Sequence, residues 1–131
     1  MTAGAQARGV LGAVVSGRVR DVAEHRATGF SVFARGTSTV GQAPFTRVAE
    51  VQVPVTVNVD SEQHGGLAAV TVNPGDLLVA DEDGVVCVPK LLETEVLRVA
   101  WQGREIDLRC LEDIQSGVSV AESFRRHRGK L

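Results

Sequence analysis

Residues 9 to 36, GVLGAVVSGRVRDVAEHRATGFSVFARG, decide the fold class. Val10 to Val15 form an apolar run without alternation, as in a strand buried on both faces, and it stops at Ser16-Gly17. RDVAEHRAT has helix-forming composition, with Val22 and Ala23 inward and Gly29 as its C-cap. FSVFARG alternates and stops at Gly36, a second strand. A strand, a helix of two to three turns and a strand make a βαβ unit, which predicts parallel pairing.

Outward from this unit the pattern changes. Upstream, AGAQAR favours helix but is too short to stand alone. Downstream, RVAEVQVPVTVNVD alternates for more than ten positions, predicting an antiparallel strand bent or bulged at Pro54. SEQHGG reads as a hairpin loop and LAAVTV as the returning strand. NPGD, residues 73 to 76, has Pro and Gly where a type II turn requires them. LLVAD, EDG and VVCVP predict two short strands joined by an Asp-Gly hairpin. From Lys90 to about Ile114 the apolar spacing is helical, with Gly103 a kink. A last short helix follows, with Ser119 and Glu122 at capping-box spacing. The expected architecture is α/β: a βαβ unit, a β-rich middle and C-terminal helices in a single domain over residues 1–131.

Composition removes several function classes. The chain has 131 residues, 44% of them hydrophobic, enough for one domain with a core. One Trp, four Phe and no Tyr leave few platforms for stacking bases. A formal charge of -2 gives no overall attraction to polyanions, so no nucleic-acid partner is expected. RRHRGK at residues 125 to 130 reads as a solvated tail. No stretch approaches a membrane span and no signal peptide is evident. Cys87 and Cys110 are too few and too far apart for a disulfide framework or a zinc site. Both read as reduced and structural, which suits a cytoplasmic location.

Arg20 and Asp21 lead the candidates for chemistry. They fall where a buried strand ends and a helix begins, the place where open α/β sheets bind ligands. Arginine offers a fixed fork for a carboxylate, and aspartate offers hard oxygens for a divalent ion. An aspartate in a helix's first turn is also an ordinary cap, so position alone leaves both readings open. Asp76, Asp81, Glu82 and Asp83 cluster around two turns and read as turn chemistry. His25 reads as a surface residue, and His64 and His127 have no evident partner. Ser-His-Asp spacing, a P-loop and a GxGxxG fingerprint are all missing. The two lysines, Lys90 and Lys130, sit where burial would not depress their pKa for Schiff-base chemistry. Carbanion chemistry here would therefore need a metal ion as the electron sink.

Several of these blocks resemble one family. ARGVLGAVVSGRVRDVAEHRATGFSVFARGTS, VPVTV, VTVNPGDLLVADEDGVVCVP and GVSVAESFRRHRGKL are similar to the 4-hydroxy-4-methyl-2-oxoglutarate aldolase family, which includes the regulators of ribonuclease activity A (RraA-like proteins). The match runs from about Ala5 to the end. The blocks G-x-V-R-D and PGDLxxADxDGVVxxP, at this separation, are its specific part. The resemblance implies a swivelling β/β/α-type fold assembled as homotrimers or hexamers with sites at subunit interfaces. It implies cleavage of 4-hydroxy-4-methyl-2-oxoglutarate or 4-carboxy-4-hydroxy-2-oxoadipate to pyruvate, and decarboxylation of oxaloacetate. It also implies a divalent ion, usually Mg2+, with Arg20 as the substrate-binding catalytic residue and Asp21 as the metal ligand. Both reactions pass through the enolate of pyruvate, whose charge a chelated cation and an arginine can stabilise.

The chain departs from the family pattern in three ways. The N-terminal segment with a Gly-rich loop facing the substrate carboxylate is expected to be missing, because Met1 stands nineteen residues before Arg20. Ser16 stands where many members have Asp. The loop after the second strand, TSTVGQAPFTR, lacks the Lys often found there, and Arg47 is the nearest cation. Glu105 and Asp107 align ambiguously with an expected C-terminal acid, and neither is assigned a role. The alternatives to an active lyase are a non-catalytic protein-binding regulator and an inactive truncated homologue.

Overall fold

A computed structural model describes residues 1–58 and 68–129. They form two compact units, Met1–Cys87 and Val88–Leu131. The first begins with the short helix α1 (Thr2–Gln6), followed by strand β1 (Gly12–Val19), helix α2 (Val22–Ala27) and strand β2 (Ser31–Thr37). β1 and β2 pair in parallel, as the βαβ reading requires. Gly12 faces Ser31 across the pair, and a β-carbon built on Gly12 would lie 2.9 Å from the Ser31 carbonyl oxygen. Only glycine allows strands to start that close together.

The strand does not end at Ser16-Gly17. Val15 pairs with Ala34 and Arg18 with Gly36, so β1 advances three residues while β2 advances two. The extra residue is a bulge, and the ladder resumes through Val19, opposite Thr37. Expected burial on both faces is corrected too. Inward and outward positions alternate along β1, and Val14 is 43% exposed. In this unit Phe30 and Thr2 are buried. Thr2 Oγ1 lies 2.7 Å from His25 Nδ1, which ties α1 to α2 and places His25 half-buried rather than on the open surface. Val22 is half-buried, but Ala23 is exposed.

The long alternating strand expected before residue 60 is much shorter. Strand β3 covers only Val55–Val57, paired antiparallel with strand β4 (Val70–Val72). Gln52 has φ 58, a left-handed turn that no strand continues through, and Pro54 next to β3 has no N–H to give a ladder. Thr56 and Thr71 face each other with their hydroxyls 3.1 Å apart. The expected SEQHGG loop lies outside the described residues. The Asn73–Asp76 turn has Gly75 at φ 93, and the Asp76 N–H donates to the Asn73 carbonyl at 3.0 Å, as a type II turn demands. Strands β5 (Leu77–Ala80) and β6 (Val85–Val88) form the expected hairpin. Asp81 Oδ1 accepts from the N–H groups of Asp83 and Gly84 at its tip.

In the second unit a 3-10 turn (Lys90–Leu92) leads into helix α3 (Glu93–Gln115), which continues through Gly103 without interruption. Helix α4 (Val120–His127) packs on α3. Ser119 Oγ accepts from the Glu122 N–H at 3.2 Å, half of the expected capping box. The Glu122 carboxylate instead pairs with Arg126 at 2.5 Å. The basic segment is therefore no free tail. Asp113 accepts from His127 Nε2 at 3.0 Å and Arg126 Nη1 at 3.5 Å, and Asp107 accepts from Arg128 at 2.6 Å. Ser123 is fully buried, with its hydroxyl donating to the Cys110 carbonyl at 3.3 Å. No described helix is long and apolar enough to cross a membrane.

Two stability tests follow from these contacts. Asp113→Asn should weaken the hold of α4 on α3 by about 1 kcal/mol, read as roughly fivefold faster amide exchange over residues 120–127. Asp21, the residue between β1 and α2, has φ 60 and ψ 33. Asp21→Gly should therefore raise stability by up to ~1 kcal/mol in urea unfolding, since glycine holds that conformation without strain.

Candidate functional site at the β1–α2 junction

The junction is built from the strand outward. Val19, the last residue of β1, has its carbonyl bonded to the Ser38 N–H at 2.8 Å, which ties the end of β1 to the loop after β2. Asp21 is the N-cap of α2, and its carbonyl accepts the first helical bond, from the His25 N–H at 3.1 Å. N-cap residues ordinarily have extended backbone and turn their side chain onto the helix's free N–H groups. Asp21 does neither. Its backbone is left-handed and its carboxylate makes no capping bond. The side-chain bond of an ordinary N-cap is therefore missing, although the carboxylate still stands at the positive end of the α2 dipole.

The carboxylate turns instead to its neighbour. Arg20 Nε donates to Asp21 Oδ2 at 3.1 Å, and both side chains are about half exposed (50% and 51%). This brings together the two residues singled out in the sequence. Among the described residues, Asp21 Oδ1 and both Nη groups of Arg20 make no further hydrogen bond. The pair therefore presents a hard anionic oxygen beside an open guanidinium edge. That combination can hold a divalent cation and a carboxylate side by side.

No group of three or more His, Cys, Asp or Glu is placed to hold an ion among the described residues. Asp21 would thus be a lone protein carboxylate, with water and substrate oxygens completing the shell. Magnesium takes that arrangement, keeping several waters and few protein ligands, whereas zinc demands a fuller protein set. The residues present fit magnesium in this sense.

Other candidates are used elsewhere. Asp81 stabilises its own turn, and Asp107 is held by Arg128. Asp76 Oδ2 accepts from the Asn73 N–H at 2.8 Å and lies 3.8 Å from Cys87 Sγ. Desolvation, reinforced by the Asp76 charge, pushes the Cys87 thiol above its usual pKa, the opposite of a reactive cysteine. Cys87 and Cys110 are both free. Lys90 pairs with Glu93 at 2.5 Å on the surface, consistent with no Schiff-base role. Glu105 shows no role.

A cleft of about 340 Å3 lies along the β5–β6 hairpin, and two more border the strands of the first unit. One, of about 500 Å3, runs along α2 and β2 and includes His25, Arg26, Phe30 and Thr37. The other, of about 520 Å3, is lined by Val14, Phe33, Val55 and Val85 with Asp81 and Glu82 at its edge. None of them takes Arg20 or Asp21 into its wall. Sequence reasoning missed Gly41 beside Arg20, because a loop glycine carries no chemical signal of its own.

Comparisons with known proteins bear on this junction. The RraA-like family model (Aldolase/RraA) matches residues 1–87, which is also the extent of the first compact unit. A Halalkalibacterium halodurans protein named "Putative 4-hydroxy-4-methyl-2-oxoglutarate aldolase" is 38% identical over 120 residues, covering 92% of this chain and 52% of its own length. Protein DlpA of Legionella pneumophila is 31% identical over 114 residues, covering 87% of this chain and 17% of its own. A crystal structure of an uncharacterized protein from Pseudomonas syringae pv. tomato superposes with a TM-score of 0.82 at 32% identity, over 94% of this chain and 53% of that one. This chain thus spans about half the length of the aldolase-named relative and of the solved structure. With the family match covering the βαβ unit, the Arg20–Asp21 junction and the β-rich middle, the chain belongs to the RraA-like family.

Proposed function

We propose that this protein is a divalent-metal-dependent lyase acting on small 2-oxo acids. Its reactions would be cleavage of 4-hydroxy-4-methyl-2-oxoglutarate or 4-carboxy-4-hydroxy-2-oxoadipate to pyruvate, and decarboxylation of oxaloacetate. The observation that carries this reading is the Arg20–Asp21 pair, with Asp21 turned off the helix it caps. Membership of the RraA-like family and a relative bearing an aldolase name support it. Magnesium, when bound, supplies positive charge that draws electron density from the 2-oxo group.

The chain's own residues do the rest. Arg20 binds the substrate carboxylate through its Nη groups, giving charge-assisted bonds aligned with a planar anion. Asp21 fixes the guanidinium through Nε and presents Oδ1 to the cation. Arg20 would also help neutralise the enolate oxygen that both reactions create. We further propose a swivelling β/β/α-type domain that assembles as a homotrimer or hexamer in the cytoplasm. Exposed apolar residues such as Val79, Val86, Leu97 and Trp101 favour such assembly.

A second reading is a non-catalytic, protein-binding regulator of the same family. It is favoured by the position of the pair outside the walls of these clefts. One assay separates the two. Pyruvate release from oxaloacetate should require Mg2+ and stop on addition of EDTA. Asp21→Asn should abolish that turnover, and Arg20→Ala should cost roughly 2–5 kcal/mol of transition-state stabilisation, about thirtyfold or more in rate. Near-normal activity in either variant would sink the catalytic assignment, and an inert wild-type chain would leave the non-catalytic readings, a protein-binding regulator or an inactive homologue.

A further inference from the structure

Two arginines of the β1 end lie against glycines, and the contrast between them is informative. A β-carbon built on Gly36 would lie 3.3 Å from Arg18 Nη1, and one built on Gly41 would lie 3.4 Å from Arg20 Nη1. Arg18 Nη1 already donates to the Thr37 carbonyl at 3.1 Å. Its guanidinium is thus tied to backbone. Arg20 has given only its Nε, to Asp21, and its Nη edge points at a residue without a side chain.

The loop that carries Gly41 is not placed loosely. The Ser38 N–H donates to the Val19 carbonyl at 2.8 Å, and Ser38 Oγ accepts from the Val40 N–H at 3.1 Å. These bonds bring residues 38–41 back beside the strand end that bears Arg20. A β-carbon at position 41 would make only an ordinary contact with the Nη1 corner, at the flexible end of Arg20, so a small neutral side chain there leaves the edge usable. An acidic one would close it, because a carboxylate there would form the same fork that an external carboxylate needs.

We propose that Gly41 is a specificity-determining positioning residue. With no side-chain carboxylate at position 41 to claim it, the Nη edge of Arg20 stays open, so that the carboxylate of a 2-oxo acid docks over the Gly41 backbone. This rests on the proposed role of Arg20 and adds which edge of the guanidinium the substrate uses and what keeps that edge free.

The test uses oxalate, a planar dicarboxylate that mimics the pyruvate enolate, titrated by calorimetry into the full chain with Mg2+ present. The wild-type chain should bind it, and Arg20→Ala should not. Failure at that step refutes the role of Arg20 itself and with it the premise. Given that step, Gly41→Asp should weaken oxalate about tenfold or more, and Gly41→Asn, equal in size but neutral, by less than about threefold. Mg2+ affinity should stay within about twofold in both variants, since Asp21 keeps its place. In turnover, Gly41→Asp should raise KM far more than it lowers kcat. Equal losses in the Asp and Asn variants would mean that bulk or misfolding acts there, and unchanged oxalate binding in Gly41→Asp would mean that the edge is not used; either result overturns the proposal while leaving the Arg20 assignment standing.

Discussion

The backbone at Asp21 is the constraint on which the rest of the junction depends. A left-handed conformation at φ 60 costs a non-glycine residue free energy, although aspartate tolerates it better than most. The conformation rotates the carboxylate away from the first turn of α2, where it would have gained a capping bond. The helix loses that bond, and the chain gains an Arg20–Asp21 pair in the open at the end of β1. Local stability has been given up at one residue, and its carboxylate is left beside the Arg20 guanidinium.

The strand before it prepares this geometry. A bulge between Val15 and Arg18 shifts β1 by one residue relative to β2. Residues after the bulge therefore pair with β2 one position out of step with those before it. Arg18 thereby comes to lie opposite Gly36, where the Thr37 carbonyl holds it. Arg20 is left beyond the ladder, free of backbone carbonyls. Two arginines two positions apart, identical in composition terms, therefore have different states: one is structural and the other open.

Much of this was legible in the sequence. The parallel βαβ unit followed from an apolar run, a helical segment ending at Gly29 and an alternating run. The Pro74-Gly75 turn and the Asp-Gly hairpin followed from backbone chemistry that few other residues satisfy. The Arg20–Asp21 pair was legible as two adjacent charges at a strand end, with cap and site both left open by position alone. What the sequence hid was decided by longer-range terms. The bulge depends on the pairing of β1 with β2, which no residue of β1 declares. The shortening of β3 depends on a positive φ at Gln52, a residue with no tendency toward it. The basic segment looked solvated because its partners, Asp107 and Asp113, lie on another helix.

Each unit also exposes apolar side chains. Val79, Val86, Leu91, Leu97 and Trp101 are each more than half exposed. Exposed apolar residues in such number favour association, because covering them returns free energy in proportion to the area removed from water. The Arg20–Asp21 pair is half exposed as well, and in that setting an ion pair contributes little. Its attraction for a keto acid would be screened in the same way. A protein surface that covered the junction would lower the local dielectric and strengthen both interactions together. Under the proposed reading, an assembly that covered these two side chains would couple association to substrate affinity, and dilution below its association threshold should then weaken substrate binding before it alters the βαβ unit.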